Sequence, residues 1–277
     1  MKLFWVHLIA AIAALSSVAT LLTILFDFRW LQESWFNGVC GMIGVLVISS
    51  YYACWQIKSK KCIVLDLSSE LKLTISEGDI FDKKGVICIP FNEYFDIHVG
   101  DGVVGENTIH GLFINKYFKD RIPELVDKIS KGLVSTAYEE TARRLKDCST
   151  KRYPIGTTVD VRDGENLYVL FALTHFDEND NANVSRIEYI EVINKLMQHL
   201  SQIAESRPVY MPLIGAGLSR IQRTPQRILY QLISMLDFDN SIVISGGVNI
   251  IIKSLKDTNV NLTILEDIIK KGITKDS

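Results

Sequence analysis

The 277-residue sequence has a formal net charge of −2 and 22% charged residues, and its mean hydropathy is +0.17. This length accommodates one ordinary domain plus an anchor, or two small domains. The near-neutral charge gives no electrostatic footprint for nucleic acid. The five cysteines lack C-x-x-C spacing and the five histidines lack H-E-x-x-H spacing. We therefore expect no disulfide framework, no metal site and no cofactor.

Two long apolar stretches stand at the start of the chain. Residues 3–26 and 36–57 contain no Asp, Glu, Lys or Arg, and a helix over either stretch is long enough to cross the ~30 Å hydrocarbon core of a bilayer. The polar link between them is short, so the two helices must run antiparallel. We predict a two-helix transmembrane hairpin over residues 1–61, with the lipid bilayer as its partner.

The flanking charges predict the orientation of this hairpin. Lysines stand at the two ends that share one membrane face, whereas the link is net negative; these lysines are Lys2, Lys58, Lys60 and Lys61. By the positive-inside rule both ends face the cytoplasm, which predicts a multi-pass protein of the cell inner membrane with a cytoplasmic soluble domain. The alternative is a cleaved signal peptide with a site at 17–19. However, the first apolar run is longer than a typical signal core, and a second run follows it.

Small residues line one face of each apolar stretch. They are Ala10, Ala13, Ala14 and Ser17 in the first stretch, and Gly38, Gly41 and Gly44 in the second. Small faces allow helices to approach closely in lipid, where association depends on packing. The pattern predicts that the two helices pack together, and it favours assembly into a homo-oligomer.

From residue 62 onward, short apolar runs alternate with amphipathic helical patterns. The run at 86–90 is almost continuously apolar, as is typical of a strand covered on both faces. Further strands are predicted at 62–67, 71–76, 157–161, 168–173, 209–212 and 242–245. Helices are predicted at 107–118, after Ser185, after Thr224-Pro225 and at 262–271. This alternation predicts that residues 62–277 form a three-layer α/β/α domain.

Three loops in this domain have the chemistry of a ligand site. Gly78-Asp79-Ile80 precedes the apolar strand, residues 100–105 follow it, and residues 212–220 follow the strand at 209–212. Ligands collect at the carboxyl ends of parallel strands, where glycine-rich loops and helix N-termini present backbone N–H groups. Glycine-rich turns are common, and each loop taken alone fits an ordinary turn better than a phosphate site. None has the lysine of a G-x-x-x-x-G-K-[ST] loop, which disfavours an NTP hydrolase.

The order of these loops resembles the macro domain family. A Gly-Asp-Ile turn is followed by a strand that ends in Asn92, then by G-D-G-V and much later by G-A-G-L. Macro domains bind ADP-ribose and related nucleotides. The resemblance implies that Asp79 accepts a hydrogen bond from the adenine amino group, that Asn92 lies beside the distal ribose, and that the two glycine loops wrap the diphosphate. The implied ligand residues are Asp79, Ile80, Asn92, Gly100, Gly102, Val103, Gly105, Gly215, Ala216, Gly217, Leu218, Ser219 and Arg220.

The sequence departs from the macro domains that hydrolyse ADP-ribose linkages. Those members carry an N-A-A-N segment and an uninterrupted G-G-G loop, whereas this strand ends Pro90-Phe91-Asn92 and Asp101 interrupts the glycines. The departures favour binding without turnover, and we assign no catalytic residue. A membrane-tethered ADP-ribosyl hydrolase and a protein-binding scaffold remain the alternatives. His110 and His175 are candidates for contacting an additional ligand group, or ordinary loop histidines.

The combination of a hairpin and a divergent macro-like domain, together with the segment at 108–114, resembles the membrane effectors of type II Thoeris anti-phage defence. This resemblance implies that a partner TIR-domain enzyme makes an ADP-ribose-type signal nucleotide, histidine–ADP-ribose. The macro-like domain senses the nucleotide and the hairpin then disrupts the membrane, which leads to abortive infection. The implied function is ligand-gated membrane damage.

Overall fold

The computed structural model describes residues 2–25, 35–58, 60–68, 71–100, 103–142, 148–177, 181–215, 223–238 and 242–273. The chain divides into two compact units. One contains Met1–Lys60 together with Asn261–Ser277, and the other contains Lys61–Val260. The predicted division into a hairpin at 1–61 and a domain at 62–277 stays a prediction.

The first unit contains two long helices that pack against each other, α1 (Lys2–Leu25) and α2 (Trp35–Gln56). Their contact buries Leu8, Ala11, Ser49 and Ala53. Both helices occupy the stretches predicted to be helical. Large apolar side chains cover the outward faces, among them Trp5, Ile9, Met42, Val47 and Trp55.

Length and composition single out one stretch as a candidate membrane span. Within the described ranges, Gly38–Gln56 in α2 is long and apolar enough to cross a bilayer. In α1 the corresponding apolar stretch, Phe4–Thr20, is shorter. The crossing of a membrane by both helices, and the location in the inner membrane, stay predictions.

The second unit is built on one mixed β-sheet. Its strand order is β1 (Cys62–Asp66), β2 (Lys72–Glu77), β10 (Val248–Ile252), β9 (Val209–Pro212), β3 (Val86–Asn92), β7 (Asn166–Phe176) and β6 (Thr158–Asp163). The five central strands from β2 to β7 pair in parallel, and the two edge strands are antiparallel to their neighbours. The short strand β8 (Ala182–Asn183) pairs antiparallel with the last residues of β7. A separate two-stranded sheet is formed by β4 (Glu139–Glu140) and β5 (Lys151–Arg152).

Helices connect and cover these strands. They are α3 (Ile109–Phe113, continuing as a π turn through Phe118), α4 (Ile122–Gly132), α5 (Arg186–Ile203) and α6 (Pro225–Phe238). Alternate residues of a strand face opposite sides of the sheet. Ile87, Ile89 and Phe91 accordingly share one core cluster with Phe113 of α3 and Leu125 of α4. The predicted mixed α/β fold with N-terminal helices is confirmed.

Local sequence chemistry accounts for the start of α5. The Ser185 hydroxyl accepts a hydrogen bond from the Glu188 backbone N–H at 3.2 Å, and the Glu188 carboxylate accepts one from the Ser185 N–H at 2.9 Å. This reciprocal pair is a capping box, which satisfies two helix-terminal donors. The predicted cap at Ser185 is therefore confirmed.

The predicted strand at 242–245 is wrong, because the strand lies further along the chain at Val248–Ile252. Gly246 and Gly247 form a turn between the two apolar runs, with the Gly247 N–H donating to the Ile244 carbonyl at 2.8 Å. A Cβ on Gly246 would lie 2.2 Å from the Arg207 carbonyl oxygen, so the turn has no room for a side chain at this position. After this turn, the second run enters the sheet between β2 and β9.

The C-terminal helix α7 (Leu262–Ile273) belongs to the first unit, whereas the prediction placed all of residues 62–277 in one domain. Asn261 Nδ2 donates to the Ile57 carbonyl at 2.9 Å, and Thr263 Oγ1 donates to the Lys58 carbonyl at 2.7 Å. Lys60 and Glu266 form an ion pair at 2.6 Å. The segment that follows α2 is therefore hydrogen-bonded to the C-terminal segment of the chain.

Replacement of Phe113 by alanine should destabilise the α/β unit by ~3–5 kcal/mol, because it empties a fully buried site in contact with Phe91 and Tyr168. Urea unfolding followed by circular dichroism measures the change. Val134→Ala is the control, since Val134 is 85% exposed and its truncation should change the free energy of unfolding by less than ~0.5 kcal/mol. Equal effects of the two variants would contradict the packing described.

Candidate functional site

A cleft of about 650 Å³ lies at the carboxyl ends of β3, β7 and β9. Three neighbouring strands end here, at Asn92, Phe176 and Pro212. The wall also contains Pro90, Phe91, Leu173, Thr174, Ala182 and residues 103–110 and 213–215. The volume falls within the ~300–1,000 Å³ of small-molecule sites, and the position is the usual one for ligands in such sheets.

Asn92 lies in the cleft wall and organises the loop that follows β3. Its Oδ1 accepts hydrogen bonds from the backbone N–H groups of Tyr94 at 3.0 Å and Asp96 at 3.3 Å, and its Nδ2 donates to Asp96 Oδ2 at 3.1 Å. The side chain is buried. The structure thus shows a loop-shaping role for Asn92, while the contact with a ribose stays a prediction. Sequence reasoning missed Asp96, which carries no motif of its own.

The loop before α3 is held by hydrogen bonds at both ends. The Gly100 N–H donates to the Val104 carbonyl at 2.9 Å, and the Val103 N–H donates to the Gly100 carbonyl at 3.1 Å. At the other end the Thr108 hydroxyl donates to the Gly105 carbonyl at 2.7 Å and accepts from the Gly111 N–H at 3.0 Å. Thr108 is therefore the N-cap of α3, and the loop and the start of this helix together line the cleft.

Gly111 permits the close approach of α3 to this loop. A Cβ at position 111 would lie 2.4 Å from the Gly105 carbonyl oxygen, a separation that side chains do not tolerate. Any larger residue would push the loop away from α3. The shape of this wall therefore depends on a glycine outside the loops singled out from the sequence.

His110 is a buried, neutral histidine in the cleft wall. Its Nε2 lies 2.9 Å from the Asp96 carbonyl oxygen, and its ring centroid lies 3.5 Å from that of Phe91. A carbonyl can only accept, so Nε2 carries the hydrogen and Nδ1 is an acceptor. Burial lowers the pKa of His110 to about 3, although the bond to Asp96 acts in the opposite direction. His110 therefore adds no positive charge to the cleft.

The described part of the cleft wall contains one side chain that is charged at neutral pH, Glu106. An anionic ligand would therefore depend on backbone N–H groups for its recognition, as at other loop and helix-start sites. Gly215 contributes to the opposite wall and has φ of +89°, a conformation that glycine adopts without strain.

The structure brings four of the predicted site residues into the cleft, namely Asn92, Val103, Gly105 and Gly215. Gly100 shapes the loop without lining the cleft. Asp79 Oδ1 accepts a hydrogen bond from the Phe81 N–H at 2.9 Å, and the Ile80 side chain lies in the core. Neither Asp79 nor Ile80 lines the cleft, so their contact with an adenine stays a prediction. Predicted residues outside the described ranges are Gly102, Ala216, Gly217, Leu218, Ser219 and Arg220.

The His110 tautomer provides a direct test of this geometry. Nitrogen NMR should show Nε2 protonated and Nδ1 unprotonated across about pH 5 to 8, because the folded protein keeps this ring neutral. The unfolded chain, with an ordinary pKa of 6.5, takes up a proton as pH falls below that value. His110 therefore lowers stability at acidic pH. A protonated ring at pH 5 in the folded protein would contradict the assignment.

Comparisons with known proteins agree with this fold. The family described as "Thoeris protein ThsA, Macro domain" matches residues 73–253. Thoeris protein ThsA of Bacillus amyloliquefaciens (strain Y2) is 29% identical over 161 residues, which cover 57% of this chain and 52% of that protein. The chain thus spans about half the length of the curated relative it matches.

Two solved structures share the fold at low identity. The Oceanobacillus iheyensis macrodomain with ADP has a TM-score of 0.53 at 11% identity, covering 76% of this chain and 97% of its own. A point mutant of that macrodomain with ADPR has a TM-score of 0.52 at 11% identity, covering 76% and 99%. Because the family match extends over well more than half of the sequence, the chain belongs to the Thoeris protein ThsA macro domain family.

Proposed function

We propose that the chain is a nucleotide sensor that binds an ADP-ribose-type ligand in the cleft at the ends of β3, β7 and β9. The observation that carries this proposal is a cleft of about 650 Å³ at the carboxyl edge of the sheet, in a member of this family. The similar Oceanobacillus iheyensis macrodomain was solved with ADP and with ADPR.

The wall chemistry supports a nucleotide diphosphate as the ligand. The loop at 104–107 and residues 213–215 border the same space, and backbone N–H groups in such loops suit phosphate oxygens. The N–H groups of Val103 and Thr108 are excluded, because they donate to the Gly100 and Gly105 carbonyls. Phe176 and Leu213 add apolar surface for a base or a sugar face. Glu106 would repel a diphosphate placed against it, so a protonated ligand group beside this carboxylate would be favourable. The histidine conjugate of ADP-ribose carries such a group.

We favour binding over hydrolysis because Asn92 and His110, the two polar wall residues singled out from the sequence, are engaged with the backbone. The Asn92 amide is hydrogen-bonded to Asp96 and Tyr94, and His110 Nε2 is bonded to the Asp96 carbonyl. An amide is not a base, and burial lowers the pKa of His110 to about 3, so its Nδ1 is too weak a base to activate water near neutral pH. Turnover of an ADP-ribosylated substrate by the purified protein would overturn this assignment and favour the hydrolase alternative.

Introduction of a negative charge at the cleft rim tests the site. Asn107 is exposed and lines the cleft, so Asn107→Glu should preserve the fold while placing a carboxylate near the diphosphate. We expect the affinity for ADP-ribose and for its histidine conjugate to fall at least about tenfold, measured by calorimetry. Val134→Glu, which adds the same charge at an exposed site away from the cleft wall, should bind like the wild type. Equal loss in both variants would indicate a general charge effect and another site.

We further propose that the first unit anchors the sensor in the inner membrane and that ligand binding promotes oligomers whose helices disrupt the bilayer. The support is the apolar character of α1 and α2, whose large exposed side chains include Trp5 and Trp55, residues that favour the membrane interface. A ligand can shift assembly only through its differential affinity for the assembled state. In this proposal a partner TIR-domain enzyme supplies the nucleotide during anti-phage defence.

Reconstitution into dye-loaded vesicles tests the membrane part of the proposal. The full chain should remain with the vesicles after alkaline washing, and nucleotide should cause dye release and larger oligomers. Asn107→Glu should remain in the vesicles without release, since it removes binding and leaves the anchor intact. Nucleotide binding that changes neither the oligomer size nor the leakage would refute the gating idea.

A further inference from the structure

His175 lies between two carboxylates just outside the cleft wall. Its Nδ1 is 2.6 Å from Glu93 Oε2, and its Nε2 is 2.8 Å from Glu188 Oε1. Ionised carboxylate oxygens only accept hydrogen bonds, so both bonds require a hydrogen on each ring nitrogen. The geometry is that of an imidazolium cation, and we name the three residues Glu93, His175 and Glu188 the histidine clamp.

The histidine clamp joins three elements at the edge of the cleft. Glu93 follows Asn92 at the end of β3, and its side chain is 1% exposed. Its second oxygen, Oε1, accepts a hydrogen bond from the Phe176 backbone N–H at 3.0 Å, and Phe176 lines the cleft. Glu188 belongs to the capping box of α5. One buried carboxylate therefore ties together a cleft residue and the histidine.

We propose that His175 is a positioning residue for the nucleotide cleft. Its protonated ring ties Glu93 and Phe176 to Glu188 at the start of α5 and so holds this edge of the cleft in the binding geometry, and ligand affinity therefore depends on the protonation of this ring. This inference rests on the proposed function, because it assigns regulation to the same cleft. His175 itself does not line the 650 Å³ space. It acts through Glu93 and the backbone of Phe176.

The arrangement does not suit His175 as a general base. In acid–base dyads one ring nitrogen is oriented by a carboxylate and the other faces the reacting group. Here Glu188 occupies the second nitrogen. The ring is nevertheless accessible to water, with its side chain 38% exposed, so it can exchange protons with solvent.

The environment of the ring sets the direction of the pH dependence. The hydrogen bond to Glu93 raises the pKa of His175 above its ordinary 6.5, burial opposes this shift, and Glu188 adds to it. The clamp is therefore complete below about 6.5 and is lost as pH rises through the raised pKa. His175 and Glu93 also border a second cavity of about 430 Å³, separate from the nucleotide cleft. Among the described residues, the other charged or titratable side chains that line this second cavity are Arg152 on β5, Glu139 on β4, Tyr138 and Tyr153, and Arg152 and Glu139 are paired with each other.

Loss of the proton must break one of the two bonds. Glu93 is buried and would be costly to leave unpaired, whereas the Glu188 side chain is 35% exposed and can turn to water. The neutral ring would keep its Nδ1 hydrogen on Glu93 and release Glu188. The tie between β7 and the start of α5 then opens, and the cleft edge loses part of its support.

The test is the affinity of the full chain for ADP-ribose from about pH 5.5 to 9, together with an NMR titration of the His175 ring and the Phe176 amide. We expect wild-type affinity to weaken roughly fivefold or more as His175 loses its proton, the lower range of coupling between two sites. His175→Gln should bind more weakly and without that pH step. A His175→Gln variant that keeps the wild-type pH profile would overturn the proposal.

Two further variants separate positioning from general stability. Glu188→Gln keeps a side chain that can complete the capping box but removes the charge, so the pH step should move to lower pH. His199→Gln removes the bond between His199 Nε2 and Asp160 Oδ1 at 2.8 Å, on the same helix α5, and should reproduce the wild-type profile. An unshifted step in Glu188→Gln would count against the clamp.

The failure of this inference is distinguishable from the failure of the proposed function. If ADP-ribose does not bind at any pH, the proposed function is overturned. The clamp is then judged from the NMR arm. A Phe176 amide signal that shifts with the same pH midpoint as the His175 ring supports the clamp. A Phe176 amide signal that does not change as the His175 ring titrates overturns the clamp.

Discussion

The parallel pairing of β3 with β9 on one side and β7 on the other is the constraint on which the site depends. Because parallel strands end at the same edge, Asn92, Phe176 and Pro212 reach one cleft although they are distant in the sequence. The pairing also requires β3 to be covered on both faces, which its nearly continuous burial shows. The strand pairing that builds the core of this fold therefore also brings the residues of the site together.

The cleft is notable for how little charge its described wall contains. Its shape depends on side chains that are already engaged with the backbone: the Asn92 amide, the Thr108 hydroxyl and the neutral His110 ring. Such engaged groups fix the loop geometry before a ligand arrives. Recognition by backbone N–H groups then requires no reorganisation of long cationic side chains, whose ordering would oppose binding.

Sequence patterns predicted the parts of the fold that local physics determines. The run at 86–90 predicted a covered strand, and Ser185 predicted the start of α5. The strand Val248–Ile252 was missed because Asn249 interrupts its apolar run, whereas the Asn249 side chain in fact donates to the Val209 carbonyl at 3.1 Å. Local composition does not reveal that bond.

The location of the candidate site was also predictable from the sequence, but most of the contacts that shape it were not. Glycine loops after strands indicated the edge of the sheet at which the cleft lies, and Asn92, Val103, Gly105 and Gly215 line that cleft. The roles of Asp96, Gly111 and Glu93 could not be inferred, since each depends on a contact with a residue several positions or a whole strand away. Glu93 and His175 are 82 positions apart, and only the pairing of β3 with β7 brings them together.

The attachment of the C-terminal segment to the residues after α2 has a consequence for biosynthesis. Asn261 and Thr263 supply the donors for the carbonyls of Ile57 and Lys58, and these donors leave the ribosome after the entire α/β unit. The first unit therefore begins to form before the α/β unit and acquires these hydrogen bonds after it. Until Asn261 and Thr263 have left the ribosome, those two carbonyls must be satisfied by water or by other groups.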